Sequence, residues 1–230
     1  MTSVRASSIV LFVSLFGLAA CGSSAKKVDP AADLAVAKRA VLTAADLPGY
    51  TSAPHTSNDD LPAANKKSFA ACMGAPTTIF DDVPGAQKAD SPDFSKAKTQ
   101  VSNTVTLDPK KSDVDNGWNQ VTSSKTAPCL QKLFDDLFRS DAANTPNVVF
   151  DPTKVARFEP GVGSRSVGYS LAFSASSSGR RISFFADIVF VGRDRAEMDL
   201  EFFNQDAAVD RSFETSLAQK SYDRIGRDAK

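Results

Sequence analysis

The sequence predicts an α+β fold: an antiparallel sheet of about four or five strands with helices packed on it, in a single domain over residues 31–230. Three observations predict it. Apolar residues recur at every second position in three consecutive segments between Val167 and Phe202, the mark of an antiparallel meander with one buried face. Turn-forming stretches separate those segments, at Ser176–Gly179 and Gly192–Arg195. Apolar residues three and four apart, the helical spacing, come before and after the meander.

The chain opens with a positive flank at Arg5, an apolar run from Ile9 to Leu18, and Leu18-Ala19-Ala20-Cys21. The run is too short to span a bilayer, and small residues precede the cysteine, so residues 1–20 read as a cleaved export signal. The Leu-Ala-Ala-Cys ending resembles a bacterial lipobox. It implies that Cys21 is acylated, becomes the mature N-terminus and partners membrane lipid at the outer face of the cell membrane. Gly22 to Lys27 is small, polar and basic, so residues 21–30 form the acylated cysteine and a flexible tether. The chain holds three cysteines. With Cys21 consumed, Cys72 and Cys129 remain, and an exported compartment favours their disulfide over two buried thiols.

Ala31 to Leu42 is alanine-rich and carries Leu34, Val36, Ala37, Val41 and Leu42 as a helical stripe. Asp46-Leu47-Pro48-Gly49 stops it, and Thr51 to Leu61 reads as a polar, exposed loop holding the one histidine, His55. Pro62 opens a second helix that ends at Gly74, with Phe69, Cys72 and Met73 on one face. Ala75 to Pro92 carries three prolines and reads as loop. Phe94 to Leu107 reads as one long strand, with Val101, Val105 and Leu107 on one side, Asn103 as the exception there, and Ser102, Thr104 and Thr106 on the other. Val114 to Ser123 is a short helix with Trp118. Pro128 opens a stronger one, marked by Leu130, Leu133, Phe134, Leu137 and Phe138. Val148 to Phe158 is a strand broken by Asp151-Pro152. After the meander, Val209, Phe213 and Leu217 mark a closing helix.

The layout resembles mycobacterial-type (actinobacterial) lipoproteins similar to the extracellular sensor domain of serine/threonine protein kinases. The likeness covers about residues 40–225. It rests on Asp46-Leu47-Pro48-Gly49, on Cys72 and Cys129 bracketing a long strand, and on Val189-Phe190-Val191-Gly192-Arg193 followed by an acidic–apolar strand and a helix. It implies a mixed sheet with helices and a cleft for a ligand. Such sensor modules often carry two disulfides, whereas only one can form here. The chain also lacks a kinase or later transmembrane segment.

Composition narrows the chemistry. A formal charge of +0 with no concentrated basic face argues against nucleic acid. One histidine and two distant cysteines make no zinc pattern, and no cofactor fingerprint is present. No Gly-x-Ser-x-Gly elbow occurs, so no catalytic residue is assigned and the protein is expected not to be an enzyme. Four residues are candidates for binding. A tight hairpin centred near Asp194 would set Glu201 opposite Asp187, either as a pair with a raised pKa, a cation site, or a patch neutralised by Arg181. Gly161-Val162-Gly163-Ser164-Arg165 reads as a turn or, through successive N–H groups and Arg165, as an anion site. The expected function is a sensor-like module for a small or amphipathic ligand, motivated by 16 phenylalanines as apolar lining. An envelope protein–protein adaptor without ligand is the alternative, and a hydrolase the weakest.

Overall fold

A computed structural model describes residues 28–56, 61–145 and 147–226. The signal segment, Cys21 and most of the tether lie outside the described residues. Among the described residues, nine strands form one antiparallel sheet, more than the four or five expected.

The meander forms as read. Strands β7 (Ser166–Ser177), β8 (Arg180–Arg193) and β9 (Ala196–Gln205) follow one another in antiparallel pairs. The N-terminal half supplies β1 (Thr51–Ala53), β2 (Gln87–Asp90), β3 (Asp93–Lys96) and β4 (Thr99–Leu107). The expected single strand from Phe94 is a hairpin instead, turned at Ala97 with φ of 52°. The stretch read as loop before Pro92 holds β2, which pairs with β4 beside β3. Thr51–Ala53, expected to be exposed loop, pairs with β3, and His55 Nδ1 lies 2.7 Å from Asp93 Oδ1, half-buried rather than solvated. Along the opposite edge, β5 (Val148–Phe150) and β6 (Lys154–Phe158) both pair with β7, a strand broken at Asp151-Pro152 as its proline dictates. Strand β4 then docks against β9, about a hundred residues away in sequence, and this pairing merges the two halves into one sheet.

Helices cover both faces, where the sequence predicted one buried face. Helix α1 (Pro30–Ala40) and the last helix, α5 (Arg211–Ile225), share a core with Val105, Val189, Met198, Leu200 and Phe202. Asp29 and Asp210 cap their N-termini, accepting from Ala31 N at 3.0 Å and Ser212 N at 2.8 Å. On the other face lie α2 (Ala63–Met73), α3 (Lys111–Val121) and α4 (Thr126–Asn144), packed on Val167, Tyr169, Leu171, Ile188 and Phe190. Helix α2 stops at Gly74, whose φ of 72° suits glycine. The Cys72–Cys129 disulfide joins α2 to α4.

Asn103, the polar exception in β4, is buried and satisfied. Its Oδ1 accepts from Leu42 N at 2.7 Å and its Nδ2 donates to Ser221 Oγ at 3.4 Å. Ser221 Oγ donates in turn to Ala40 O at 2.6 Å. One side chain thus ties the end of α1 to β4 and α5. Nearby, Asp46 in the Asp-Leu-Pro-Gly segment takes Arg224 of α5 through both oxygens, with its Oδ2 also 2.8 Å from Thr43 N.

Asn103→Ala leaves a buried N–H and a buried hydroxyl short of a partner, so urea unfolding is expected to show a loss of about 2 kcal/mol. The disulfide closes a loop of 57 residues. Cys72→Ala with Cys129→Ala is expected to lower the unfolding free energy by about 4 kcal/mol on the chain-entropy model, measured by the same titration.

Candidate functional site

The β8–β9 turn is a two-residue loop, Asp194-Arg195, with Arg193 facing Ala196. That register differs by one residue from the expected hairpin. Ile188, not Asp187, faces Glu201, and Asp187 faces Phe202. A one-residue shift exchanges sheet faces, so the Asp187–Glu201 pair does not form.

Asp187 points to the α1–α5 face. There it meets Arg211 of α5, whose Nη2 lies 3.2 Å from Asp187 Oδ1 and whose Nη1 lies 2.5 Å from Glu214 Oε2. Arg211 also donates to Ser170 and stacks 3.4 Å over the Phe158 ring. Two buried carboxyls therefore share one guanidinium. Burial, then the neighbouring Asp187, push Glu214 up to about 8, against the pull of Arg211. The carboxylate pair anticipated for Asp187 exists, with Glu214 as its partner. Arg181 does not neutralise it. That side chain is mostly exposed at the far end of β8 and pairs with Asp151 at 2.6 Å.

Glu201 points to the other face, in a row with Glu197 and Asp199 on β9. Their direct neighbours on β4 are Ser102, Thr104 and Thr106, which bring no cation. Helix α3 crosses this part of the sheet and leaves a narrow, half-open cleft with room for about a single water. Trp118, Val121 and Phe190 line it from the apolar side, and Glu197 and Asp199 from the acidic side, with Gly117 and Gly192 between. Both ends of α3 are pinned. Asp115 binds Lys111 at 2.7 Å and Arg165 at 2.5 Å, while the Tyr169 hydroxyl donates to Val121 O and Arg157 Nη1 to Thr122 O at 3.1 Å.

The acids here are buried, with Lys88 of β2 on the same face and Arg165 at the rim as opposing charges. Glu197 is only 7 % exposed, and its Oε2 has no hydrogen-bond partner among the described residues. Burial, then Asp108, Asp199 and Asp113, raise its pKa well above the usual value, with Arg165 opposing. Burial lifts Asp199 to about 7 despite Lys88, with Asp108 and Asp90 adding to the rise. Glu201 is likewise raised well above its ordinary value by burial, Asp199 and Asp93, with Lys88 opposing. Behind them Asp108 is fully buried, with neither carboxyl oxygen hydrogen-bonded among the described residues, and burial with Asp113 and Asp82 brings it to about 7 against the pull of Arg195.

Of the four residues proposed for binding, Glu201 sits on this acidic row and Arg165 stands at the cleft's edge, its Cδ 3.5 Å from where a Cβ on Gly192 would lie. Asp187 and Arg181 lie elsewhere. The Gly161–Arg165 stretch is a connection packed beneath α5. Val162 N donates to Ser166 Oγ at 3.0 Å, and Tyr222 fills the space beside Gly163, so this stretch is no anion cradle. Trp118, Glu197 and Asp199 were not expected in a site. The signal that marks them is the continuous apolar run Ile188-Val189-Phe190-Val191, which belongs to a strand buried on both faces and so puts its neighbour's acids inside.

No family model matches the chain, and no curated protein matches it either. Among solved structures it is similar to the extracellular domain of PknH from Mycobacterium tuberculosis, at 7% identity and a TM-score of 0.33, over 77% of this chain and 100% of that one. A Pseudomonas aeruginosa protein of unknown function, PA94, is similar at 14% identity and a TM-score of 0.18, over 52% of this chain and 67% of that one. The first likeness is weak and at the level of fold, and neither TM-score is high enough to carry an argument about function.

The Glu214 carboxyl fixes a pH dependence. It binds its proton more tightly folded than unfolded, so its stabilisation is complete below its ordinary value of 4.5 and is lost as pH rises through about 8. Glu214→Gln is expected to flatten the fall in unfolding free energy across that window, by up to about 1.4 kcal/mol per pH unit, measured by urea titration. Asp46 runs the other way. Burial opposes its charge, but Arg224 and Thr43 outweigh burial and hold it at about 2, so its contribution is present above 3.8 and is lost as pH falls through about 2. Asp46→Asn is expected to remove that acid-side loss in the same titrations.

Proposed function

We propose that the protein is an exported, lipid-anchored binding module, sensor-like in kind, which takes a small or amphipathic ligand at the cell envelope in the cleft beneath α3. One observation carries this reading: a buried Glu197 carboxyl oxygen, without a partner among the described residues, faces a narrow, half-open cleft walled by Trp118 and Phe190. Asp46 by contrast pairs with Arg224, and Asp33 with Arg195 at 2.8 Å. A polar group buried without a partner costs about 1–3 kcal/mol, so a ligand that satisfies it gains that much on binding. The export signal read over residues 1–20 and the Cys72–Cys129 disulfide support an oxidising, extracytoplasmic setting. Acyl chains on Cys21 hold the module at the membrane, and no reaction is assigned to it.

Native mass spectrometry of the full-length protein, purified from its own host, tests both parts. The mature protein is expected to begin at Cys21 with a lipid increment and to carry a second, non-covalent ligand mass. Cys21→Ala is expected to leave unprocessed, unacylated precursor. A wild-type mass without lipid would overturn the anchoring, and a protein that is empty but retains one envelope partner would favour the adaptor.

A further inference from the structure

The first turn of α5 is held to the sheet by three ionisable groups whose charges do not balance. We propose that Asp187, Arg211 and Glu214 form a pH-sensitive latch. In acid it closes the strap formed by residues 206–214 over the sheet. As pH rises the strap opens locally, while the second half of α5 stays docked.

The latch joins four elements. Asp187 on β8 and Glu214 on α5 are 3 % and 1 % exposed. Arg211 lies between them, donating through Nη2 to Asp187 Oδ1 at 3.2 Å and through Nη1 to Glu214 Oε2 at 2.5 Å. It also donates to Ser170 Oγ on β7, and its guanidinium lies over the Phe158 ring of β6. Glu214 Oε1 has no hydrogen-bond partner among the described residues while the group is a carboxylate. A proton turns it into a donor, with Asp187 as the acceptor.

One guanidinium balances one carboxylate. With a proton on the pair the cluster is neutral; without it, one excess negative charge is held away from water. The charged groups acting on Glu214 are Asp187 and Arg211. The N-terminus of α5 would favour negative charge, but Asp210 occupies it, its Oδ1 accepting from Ser212 N at 2.8 Å and Phe213 N at 3.0 Å. Burial and Asp187 accordingly push Glu214 up to about 8 despite Arg211. The closed strap binds the proton more tightly than the open one. Its advantage is therefore complete below 4.5, drains as pH rises, and is gone above about 8.

The two halves of α5 are held differently, which makes the opening local. In the second half, Ser221 Oγ donates to Ala40 O at 2.6 Å, and Arg193 Nη1 donates to Tyr222 O at 3.1 Å. Arg224 binds both oxygens of Asp46, whose pKa of about 2 keeps it charged across this window. Besides the latch, the first half has Thr215 Oγ1 donating to Pro160 O at 3.3 Å, and Phe213 with its ring 6.2 Å from those of Tyr50 and Phe202. The connection leading into it is exposed over residues 206–208, and its Lys98–Asp206 pair is exposed too, where an ion pair holds little. Releasing the latch frees this strap and uncovers the apolar surface of Phe202 and Tyr50.

Hydrogen exchange tests the latch on full-length protein in detergent, from about pH 5 to about pH 9, with rates corrected for intrinsic exchange. Protection of the amides from Glu214 to Leu217 is expected to fall by up to about tenfold per pH unit and to level off above about pH 8. The amides from Phe134 to Phe138 in α4 report global unfolding and are expected to remain better protected at every pH. Glu214→Gln resembles the protonated acid and is expected to abolish the fall in α5 without changing α4. Asp187→Asn removes the like charge and is expected to reduce the fall; it decides the matter if Glu214→Gln does not fold. Exchange in α5 that tracks α4 throughout overturns the latch, because the opening is then global. A fall in α5 that survives Glu214→Gln, or Asp187→Asn where that variant decides, overturns it too.

Discussion

Strand β9 is the constraint on which the rest of the structure depends. It lies between β4 and β8, and without it the N-terminal hairpin and the C-terminal meander would be separate sheets. Its sequence alternates Ala196, Met198, Leu200 and Phe202 with Glu197, Asp199 and Glu201. At a sheet edge or on a one-sided sheet, that pattern would put the acids in water. Here helices cover both faces, so the alternation carries carboxyls inward. The apolar half drives the docking, because burying each large apolar side chain is worth about 1.5–3 kcal/mol. The acidic half follows, and those groups tend to keep their protons instead of staying charged.

The two faces treat their polar groups differently. Beneath α1 and α5, the polar groups that matter most are partnered. Asn103 satisfies Leu42 and Ser221, Asp46 takes Arg224 by both oxygens, Asp33 takes Arg195, and Asp187 with Glu214 shares Arg211. These contacts join α1, β4 and α5 into one body. Beneath α3, Asp108 and Glu197 keep carboxyl oxygens without partners among the described residues, as Glu214 Oε1 does beneath α5. The difference between the faces is that Glu214 still holds a guanidinium through its other oxygen, whereas neither oxygen of Asp108 has a partner.

Local pattern made much of this legible. The alternation from Val167 to Phe202, the stripe from Leu130 to Phe138 and the glycine stop at Gly74 each depend on near neighbours, and each element formed where the pattern put it. Pairings between distant segments were not legible. Nothing within Gln87–Asp90 says that β4 will accept it as a partner, and His55 met Asp93 only because β1 docks on β3. The register at Asp194-Arg195 shows how sensitive such reasoning is. Moving the turn by half a residue pair exchanged Asp187 for Ile188 opposite Glu201 and sent the two acids to opposite faces. Asp187 then found its carboxyl partner on α5, whose apolar stripe marks the helix but not which polar residue meets Asp187.

The buried acids beneath α3 link folding to pH. Asp108, Glu197, Asp199 and Glu201 all hold protons more tightly in the folded chain, so each withdraws stability as pH rises through its raised value. Above that range the sheet must hold those charges against burial, with Lys88 of β2 and Arg165 at the rim opposing the rise. That cost follows from placing the acids on β9, where the sheet cannot turn them to solvent without giving up Met198, Leu200 and Phe202.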